Sequence, residues 1–376
     1  CPVRGHSNVQ GDRTMGICER MNETFMKKLG DEFAFDPPRE HGTDTVETIK
    51  QMRRGAIRVF IAMGGNFLCA APDTEFTAKA LQKCRLTAHV SIKLNRSHLI
   101  TGEIALILPC LGRSEIDRQA MGEQFVTVEN SMGVINPSYG VLEPAGTELR
   151  SEPAIISGLA RATLGDRSAV DWEGLIADYN RIRDHIEHVV PGFENFNERI
   201  AQDVFYLPNA ARDQRKFNNE IGKALFTVHP IPRNELEPGK FILMTIRSHD
   251  QFNTHIYGLD DRYRGIYNGR RVLFMNPDDA EEAGLTQGQV VDLTSHFGDG
   301  EKRHARHFQI APYPIARGCT ATYFPEGNVL VPIDSVAERS NTPTSKFVVI
   351  SITPAADAQE AAKSILSMAH EHAPSQ

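Results

Sequence analysis

Residues 57–66 read IRVFIAMGGN, a short apolar run that ends in two glycines and an asparagine. Continuous apolar runs of this length are typical of strands in a sheet that is covered on both faces. The preceding stretch, TDTVETIKQMRRG at 43–55, predicts a helix that Thr43 or Asp44 caps and Gly55 ends. The following stretch, APDTEFTAKALQKC at 71–84, predicts a second helix, capped by Asp73 or Thr74.

Two further apolar runs complete this pattern, RLTAHVSIKL at 85–94 and EIALILP at 103–109. Strands that alternate with a helix across brief loops form the βαβ pattern, so a parallel sheet is predicted. Ligands of such sheets bind beyond the carboxyl ends of the strands. That rule selects Met63 to Asn66 and Ser91 to His98 as candidate binding residues.

The rest of the first 225 residues mixes loops with helices. Residues 1–16 are expected to be a loop because glycines interrupt any periodicity, and 110–150 is expected to be loop-rich. Amphipathic spacing predicts helices at 152–165, at 171–190 and near 193–203.

From about residue 226 the pattern changes to β-rich runs separated by turns. The runs are FTVHPIP, KFILMTIRS, RRVLFMN, QVVDLTSHF, RHFQIAPY and KFVVISITP. They predict an all-β domain, a barrel, interrupted by a helix from Asp278 to Ala283 that Asn276 caps and followed by a helix at 356–372. We therefore predict an α/β domain over 1–225 and a β-barrel domain over 226–376.

Composition excludes several classes of function. The net charge of −7 argues against nucleic acid as a partner, because a nucleic-acid surface needs excess positive charge. No apolar run reaches the length of a membrane span, and no signal-peptide layout is present. The six cysteines form no CxxC pair, which argues against a disulfide framework and a zinc site and favours a reducing, cytoplasmic compartment.

Two polar stretches carry the chemistry. Glycines after a strand, as in MGGN at 63–66, let backbone N–H groups approach a phosphate, although a plain tight turn explains them equally well. The stretch TIRSHDQFNTHIYG at 245–258 gathers donors and acceptors that suit a ligand with phosphates and a hydrogen-bonding heterocycle. A solvated loop is the alternative for this second stretch.

An ordered series of segments resembles the carboxyl-terminal half of the molybdopterin oxidoreductases, in particular the formate-dehydrogenase-like alpha subunits. The segments are PVRGHSNVQGDRTMG, FIAMGGNF, LNRSHL, ALILP, SHDQFNTHIYG, VLFMNPDDAEEAGL, QGQVVDL, YFPEGNVL and TPTSK. The resemblance runs over nearly the whole chain, and it implies an α/β domain followed by a barrel of double-psi topology.

The resemblance also implies a bis-molybdopterin guanine dinucleotide that carries molybdenum. One dinucleotide would lie at the α/β domain, against Met63, Gly64, Gly65, Asn66, Ser91 and Asn95. The other would lie at the barrel, against Arg247, Ser248, His249, Gln251, Asn328 and Lys346. Pyrophosphates and a guanine need glycine turns, cations and amides, which these positions supply.

The opening VRGH resembles the loop that faces the metal in formate dehydrogenases. Carried over, Arg4 would hold a small anionic substrate such as formate, Gly5 would contact the cofactor, and His6 would accept a proton. An alternative is that Arg4 pairs with a pterin phosphate. The family's formate dehydrogenases carry Gln where this chain has His6, and LNRSHL replaces an acidic run.

In this family the iron–sulfur cysteines and the molybdenum ligand lie in the amino-terminal half. No metal ligand is therefore assigned here, and a 4Fe–4S cluster is expected only in that missing half. The chain is expected to begin inside a larger two-electron oxidoreductase, to be inactive alone, and to work with its missing half and an electron-acceptor subunit. Two alternatives are a non-catalytic cofactor-binding scaffold and a plain NAD-binding α/β enzyme.

Overall fold

The computed structural model describes residues 7–231 and 233–356, and these residues form two compact units. One unit comprises residues 7–43, 90–93 and 108–231. The other, which we call the barrel unit, comprises residues 44–89, 94–107 and 233–356. This grouping places residues 44–89 with the barrel, whereas the domain boundary near residue 225 was drawn from the sequence alone and stays a prediction.

The α-helices and the β-strands of the described residues are each numbered in chain order. The helices are α1 (Ser7–Thr14), α2 (Glu23–Phe33), α3 (Thr45–Arg54), α4 (Phe67–Ala70), α5 (Thr74–Leu81), α6 (Glu152–Leu164), α7 (Trp172–Ala177), α8 (Tyr179–Val189), α9 (Phe196–Gln202), α10 (Ala210–Gln214) and α11 (Pro277–Glu282). The strands are β1 (Val59–Met63), β2 (Leu86–Ser91), β3 (Ile104–Pro109), β4 (Asp117–Gln119), β5 (Gly122–Gln124), β6 (Val126–Glu129), β7 (Val134–Ser138), β8 (Phe205–Tyr206), β9 (Lys240–Ile246), β10 (Gln251–Phe252), β11 (His255–Ile256), β12 (Val272–Met275), β13 (Val290–His296), β14 (Arg303–Pro312), β15 (Cys319–Tyr323) and β16 (Val348–Pro354).

The first three strands form the predicted parallel sheet, in the order β1-β2-β3. Helices α3 and α5 cover one face of it with a core that includes Ile49, Met52 and Leu81. The expectation that both faces are covered is wrong for β1 among the described residues, since Val59 and Ile61 are 53% and 50% exposed. Only the central strand β2 is buried along nearly its whole length.

The caps of the two helices differ from each other. Asp44 caps α3 as predicted, because its side chain accepts a hydrogen bond from the Glu47 N–H at 3.0 Å. Asp73 stands before α5 in the left-handed region and makes no side-chain cap. Its carboxylate instead binds the Arg303 guanidinium at 2.7 Å, so the barrel holds this turn in place of a cap.

The predicted barrel is confirmed as a closed sheet of six strands, in the order β12-β14-β13-β16-β9-β15. The pairs β12–β14 and β9–β15 are parallel, and the other neighbouring pairs are antiparallel. Leu243, Leu273, Leu293 and Ile350 lie in its fully buried core. The predicted helix is present as α11, and the Asn276 side chain caps it by accepting from the Asp278 N–H.

The other unit packs helices α2, α8 and α9 around a core of aromatic and aliphatic side chains. Phe193, Phe196 and Leu207 are its most buried members. The predicted helix at 171–190 is divided into α7 and α8, because Asp178 adopts an extended conformation and caps α8 by accepting from the Asn180 N–H. The predicted helices at 152–165 and near 193–203 are present as α6 and α9.

Two further sequence-based expectations are wrong, those for residues 7–14 and for the run FTVHPIP. Residues 7–14 form helix α1, not a loop, because the helix is held by a contact distant in sequence, in which the Thr14 hydroxyl donates to Glu129 on β6 at 2.5 Å. The run FTVHPIP forms no strand in its described part, since proline lacks the N–H that a ladder needs. The expectation that 110–150 is loop-rich is not contradicted, and its loops connect the short antiparallel pairs β4–β5 and β6–β7. The predicted helix at 356–372 lies outside the described residues except for Ala356.

Among the described residues, no helix combines the length and the apolar character that crossing a bilayer requires.

Candidate functional site

The turn after β1 is shaped by two glycines in the left-handed region. Gly64 has φ 65° and Gly65 has φ 71°, and an added Cβ at either would meet no atom within 4 Å. Both residues are exposed, so their backbone is open to a ligand. The turn ends at Asn66, whose side chain accepts from the Cys69 N–H at the start of α4.

The structure brings Asn95 to this turn, as the strand-end rule predicted. Its amide donates to the Gly65 carbonyl at 2.8 Å and its carbonyl oxygen accepts from the Ser97 N–H. The Ser97 hydroxyl in turn donates to Asn66 at 2.9 Å and accepts from the Leu68 N–H. Ser97 lies within the range Ser91 to His98 that the strand-end rule selected, although no signal in the sequence singles it out there.

The remaining residues predicted at this sheet are placed differently. Met63 is 43% exposed at the end of β1. Ser91 is buried, and its hydroxyl donates to the Lys93 carbonyl of its own loop at 2.8 Å. The hydroxyl therefore has a local partner, and its contact with a cofactor stays a prediction.

Two histidines of the barrel unit leave buried nitrogens without partners. The Nε2 atoms of His89 and His98 are buried and make no hydrogen bond within the described protein. Their rings are in contact, with centroids 4.8 Å apart and planes tilted by 57°. Burial, together with the neighbouring His98, lowers the pKa of His89, so the neutral ring is favoured. His98 belongs to the same short turn as Ser97.

The loop that leaves β9 is organised by a buried arginine that the sequence analysis missed. Arg270 donates to the Ser248 hydroxyl and to the Gln251 side-chain oxygen, both at 2.9 Å. Its guanidinium also binds Glu326 at 2.6 Å and the Phe324 carbonyl at 2.8 Å. Ser248 and Gln251, two predicted cofactor contacts, are thus held by Arg270 in fixed positions.

A second buried group, Asp261, holds the predicted His249. The His249 Nδ1 lies 2.8 Å from the Asp261 carboxylate, which also accepts from Arg264 at 2.6 Å and from the Tyr323 hydroxyl at 2.9 Å. Burial acts to raise the pKa of Asp261, but the hydrogen bonds from Arg264, His249 and Tyr323 outweigh it, and the pKa is lowered. Asp261 is therefore a buried carboxylate that orients a histidine.

Two cations remain available at this loop. Arg247 donates to the Asn253 side chain at 2.8 Å, and Lys346 donates to the Thr245 carbonyl. Among the described residues, no carboxylate pairs with either of them. Desolvation and the positive charge of Arg247 lower the pKa of Lys346. Two neighbouring cations without an acid partner suit a phosphate or pyrophosphate.

The predicted Asn328 has a different environment. It is 3% exposed, and its amide donates to the carbonyls of Cys69 at 2.7 Å and Ala70 at 3.3 Å. These contacts connect the short turn Glu326–Leu330 to α4 within the barrel unit. A pterin contact for Asn328 stays a prediction. Arg4, Gly5 and His6 lie outside the described residues.

A molybdopterin dinucleotide fits the groups present. A ligand of phosphates and a polar heterocycle requires open backbone, polar nitrogens and cations. Within the described residues these are the exposed glycine turn, the His89 and His98 Nε2 atoms without a hydrogen bond, and Arg247 and Lys346 without a carboxylate partner. The sequence analysis identified the glycine turn and the two cations. It missed Arg270 and Asp261, the buried groups that position Ser248, Gln251 and His249. The dense charge of 260–271 is the available sequence signal for these two residues.

Comparison with known proteins agrees with this geometry. Residues 241–350, which cover most of the barrel, match the family Molydopterin dinucleotide binding domain. The chain is 50% identical over 361 residues to an uncharacterized oxidoreductase of Mycobacterium tuberculosis (strain ATCC 25618 / H37Rv), covering 95% of this chain and 46% of that protein. It is 43% identical over 363 residues to Protein YdeP of Escherichia coli (strain K12), covering 94% of this chain and 47% of YdeP.

A solved structure shares the fold. Acetylene Hydratase from Pelobacter acetylenicus superposes with a TM-score of 0.57 at 13% sequence identity, covering 93% of this chain and 51% of the hydratase. The chain therefore spans about half the length of the curated relatives that it matches.

Proposed function

We propose that this chain, which belongs to the molybdopterin-binding oxidoreductases, forms the part of a molybdenum enzyme that holds a bis-molybdopterin guanine dinucleotide. The observation that carries the proposal is the loop after β9. There the buried Arg270 and Asp261 fix Ser248, Gln251 and His249, while neither Arg247 nor Lys346 pairs with a carboxylate of the described residues.

The two dinucleotides would use different groups of the chain. Arg247 and Lys346 would bind phosphates of one, with His249 and Gln251 beside them and Asn328 as a later contact. The open backbone of Gly64 and Gly65 would approach the pyrophosphate of the other, with Met63, Asn66, Ser91 and Asn95 around it. When bound, the cofactor supplies two-electron redox chemistry at its metal.

More specifically, the proposed reaction is a formate-dehydrogenase-like oxidation of a small anion in the cytoplasm. In it, Arg4 holds the anionic substrate, Gly5 contacts the cofactor and His6 accepts a proton, in line with the resemblance of the opening loop. The 4Fe–4S cluster and the metal ligand would come from polypeptide outside this chain, which alone would be inactive. A non-catalytic scaffold that only binds the cofactor is the alternative.

Cofactor binding is tested directly by producing the chain in a host that makes the dinucleotide form of the cofactor. Molybdenum, the fluorescent oxidised pterin and released GMP are measured per mole of protein. We expect Arg247→Ala to lose most of the bound cofactor, because it removes a phosphate cation without disturbing a buried pair. The matched control is Arg306→Ala, an exposed arginine on the barrel strand β14.

Equal cofactor content in both variants and the wild type would contradict the role of Arg247. No pterin in any of them would remove the proposal for this chain. Formate oxidation by the longer parent protein, with Arg4→Ala and His6→Gln, then separates the enzyme from the scaffold. A parent that holds the cofactor but oxidises no small anion would favour the scaffold.

A further inference from the structure

Three potential metal-ligating side chains meet on the surface of the unit that contains α2 and α8. Glu32 lies near the end of α2, and His185 and His188 lie three residues apart on α8, so both rings share one helix face. The His185 Nδ1 is 2.5 Å from the Glu32 Oε1, and the His188 Nδ1 is 2.9 Å from the same oxygen. One ligand atom from each residue lies within 4.8 Å of the others.

The three side chains are held by packed elements. The Glu32 side chain is 19% exposed, the His185 side chain 35% and the His188 side chain 59%, so the cluster opens to solvent on the His188 side. The His185 ring packs against Phe33 with centroids 4.8 Å apart. Helix α2 is fixed at its start, because the Asn22 side chain accepts from the Phe25 N–H at 2.8 Å.

The charge around the cluster also favours a cation. Asp184 and Glu187 flank the histidines on α8, and their negative charges act on His188. Asp184 accepts from the Asn197 amide and Glu187 accepts from the Phe196 N–H, so both carboxylates are held in place. A cation bound at Glu32 would therefore lie in a negative local field.

We infer that Glu32, His185 and His188 bind a divalent transition metal ion of the zinc class. The ligands would be the Nδ1 atoms of the two histidines and a carboxylate oxygen, with water in the open position toward solvent. Two imidazoles and one carboxylate form a ligand set that zinc accepts, at about 2.0–2.2 Å from each atom. A separation of roughly 3.3 Å between ligand atoms follows from those lengths, so small side-chain rotations convert the hydrogen-bonded cluster into the site.

The ligand set also specifies what does not bind. Magnesium and calcium prefer all-oxygen shells, whereas imidazole suits zinc, copper and nickel. The site connects two helices that are far apart in sequence, so bound metal stabilises the folded unit by mass action. None of the three ligands is among the residues assigned to the cofactor, and the test of the site needs no molybdopterin.

The test is a zinc titration of the full chain against a chromophoric chelator, with cysteines alkylated beforehand. We expect one equivalent of zinc to be lost in His188→Ala and in Glu32→Gln, with affinity reduced at least about 10- to 100-fold. The matched control is His304→Ala, which removes a histidine on the barrel strand β14. Magnesium in place of zinc should give no binding at the same concentrations.

Two further measurements keep the outcome decisive. Thermal unfolding without metal shows whether the variants are folded, and zinc should raise the midpoint in the wild type and in His304→Ala only. Cobalt substitution should give a d–d spectrum without thiolate charge-transfer bands. Zinc affinity unchanged in His188→Ala and Glu32→Gln, or a site that appears only with free thiols, would overturn the inference.

Discussion

The loop after β9 and the turn after β1 both present groups that suit phosphates, but they are built in opposite ways. The barrel loop uses side chains, and buried partners such as Arg270 and Asp261 fix them in position. The turn uses backbone freed by Gly64 and Gly65, and nothing in the described protein lies where a Cβ would point. Substitutions of the buried groups in the barrel loop should therefore lower the free energy of unfolding strongly, and substitutions in the turn should lower it weakly. Ligand binding is a separate measurement in both cases.

The largest effect on stability is expected for Arg270→Ala. The change leaves Glu326 without its partner and removes donors from the buried Ser248 and from the Phe324 carbonyl. Breaking a buried ion pair by deleting one partner costs about 3–5 kcal/mol. Urea unfolding should show this loss, and Arg270→Lys should recover only part of it because a lysine lacks the planar fork. A loss below that of the exposed Arg306→Ala would contradict the comparison.

Asp261→Asn should rank second and should change the pH dependence of stability. Removing this charge weakens the bonds from Arg264 and His249 at a cost of about 1–3 kcal/mol. The folded pKa of Asp261 lies below its ordinary value of 3.8, so its stabilisation is present above that pH and is lost as pH falls through the folded pKa. Wild type and variant should therefore converge in acid-unfolding experiments, and a constant difference down to the lowest pH would argue against this role.

Gly65→Ala should cost only about 1 kcal/mol, because the strain of a left-handed alanine is its one expected cost. The matched control is Gly55→Ala at the end of α3, where φ is 78° and an added Cβ likewise meets nothing. Chemical unfolding should give the two variants similar stability losses. Bound pterin should fall in Gly65→Ala alone, and an equal pterin content in the two would remove the turn from the cofactor site.

The smallest effect on stability is expected for Arg247→Ala. Arg247 is exposed and donates its one described side-chain hydrogen bond to Asn253, so the free energy of unfolding should change by about 0.5 kcal/mol or less. Cofactor content should nevertheless fall more than in Arg306→Ala. A large stability loss in Arg247→Ala would contradict the proposal that Arg270 and Asp261 stabilise the loop while Arg247 contacts the ligand.

The sequence predicted those parts of the molecule whose residues act through local patterns. The apolar runs of the barrel, the helix α11 with its Asn276 cap and the strand–helix–strand order are of this kind. Strand β15, CTATY, was missed because its small and polar residues are buried only by neighbours distant in sequence. Helix α1 was missed because its contact with β6, from Thr14 to Glu129, joins residues that are distant in sequence.

The candidate site shows the same contrast between local patterns and contacts that are distant in sequence. Gly65, Asn66 and Asn95 were found because strand ends gather at one sheet edge, a rule that needs no side-chain detail. Arg270 and Asp261 were not found, since the dense charge of 260–271 does not by itself distinguish a buried, hydrogen-bonded charge from a solvated one. Asn328 was read as a ligand contact, and only the structure places its amide against the carbonyls of Cys69 and Ala70.

The bonds of Asn328 and the burial of Ile333 have a consequence for biosynthesis. Ile333 is 1% exposed in the core that α3 and α5 form, and its N–H donates to Asp73 at 3.3 Å. These partners lie some 260 residues apart in the sequence. At about 5–20 residues per second, a ribosome needs roughly 13–52 s to make that stretch. Helices α3 and α5 must therefore wait, with apolar side chains uncovered, for the residue that completes their core.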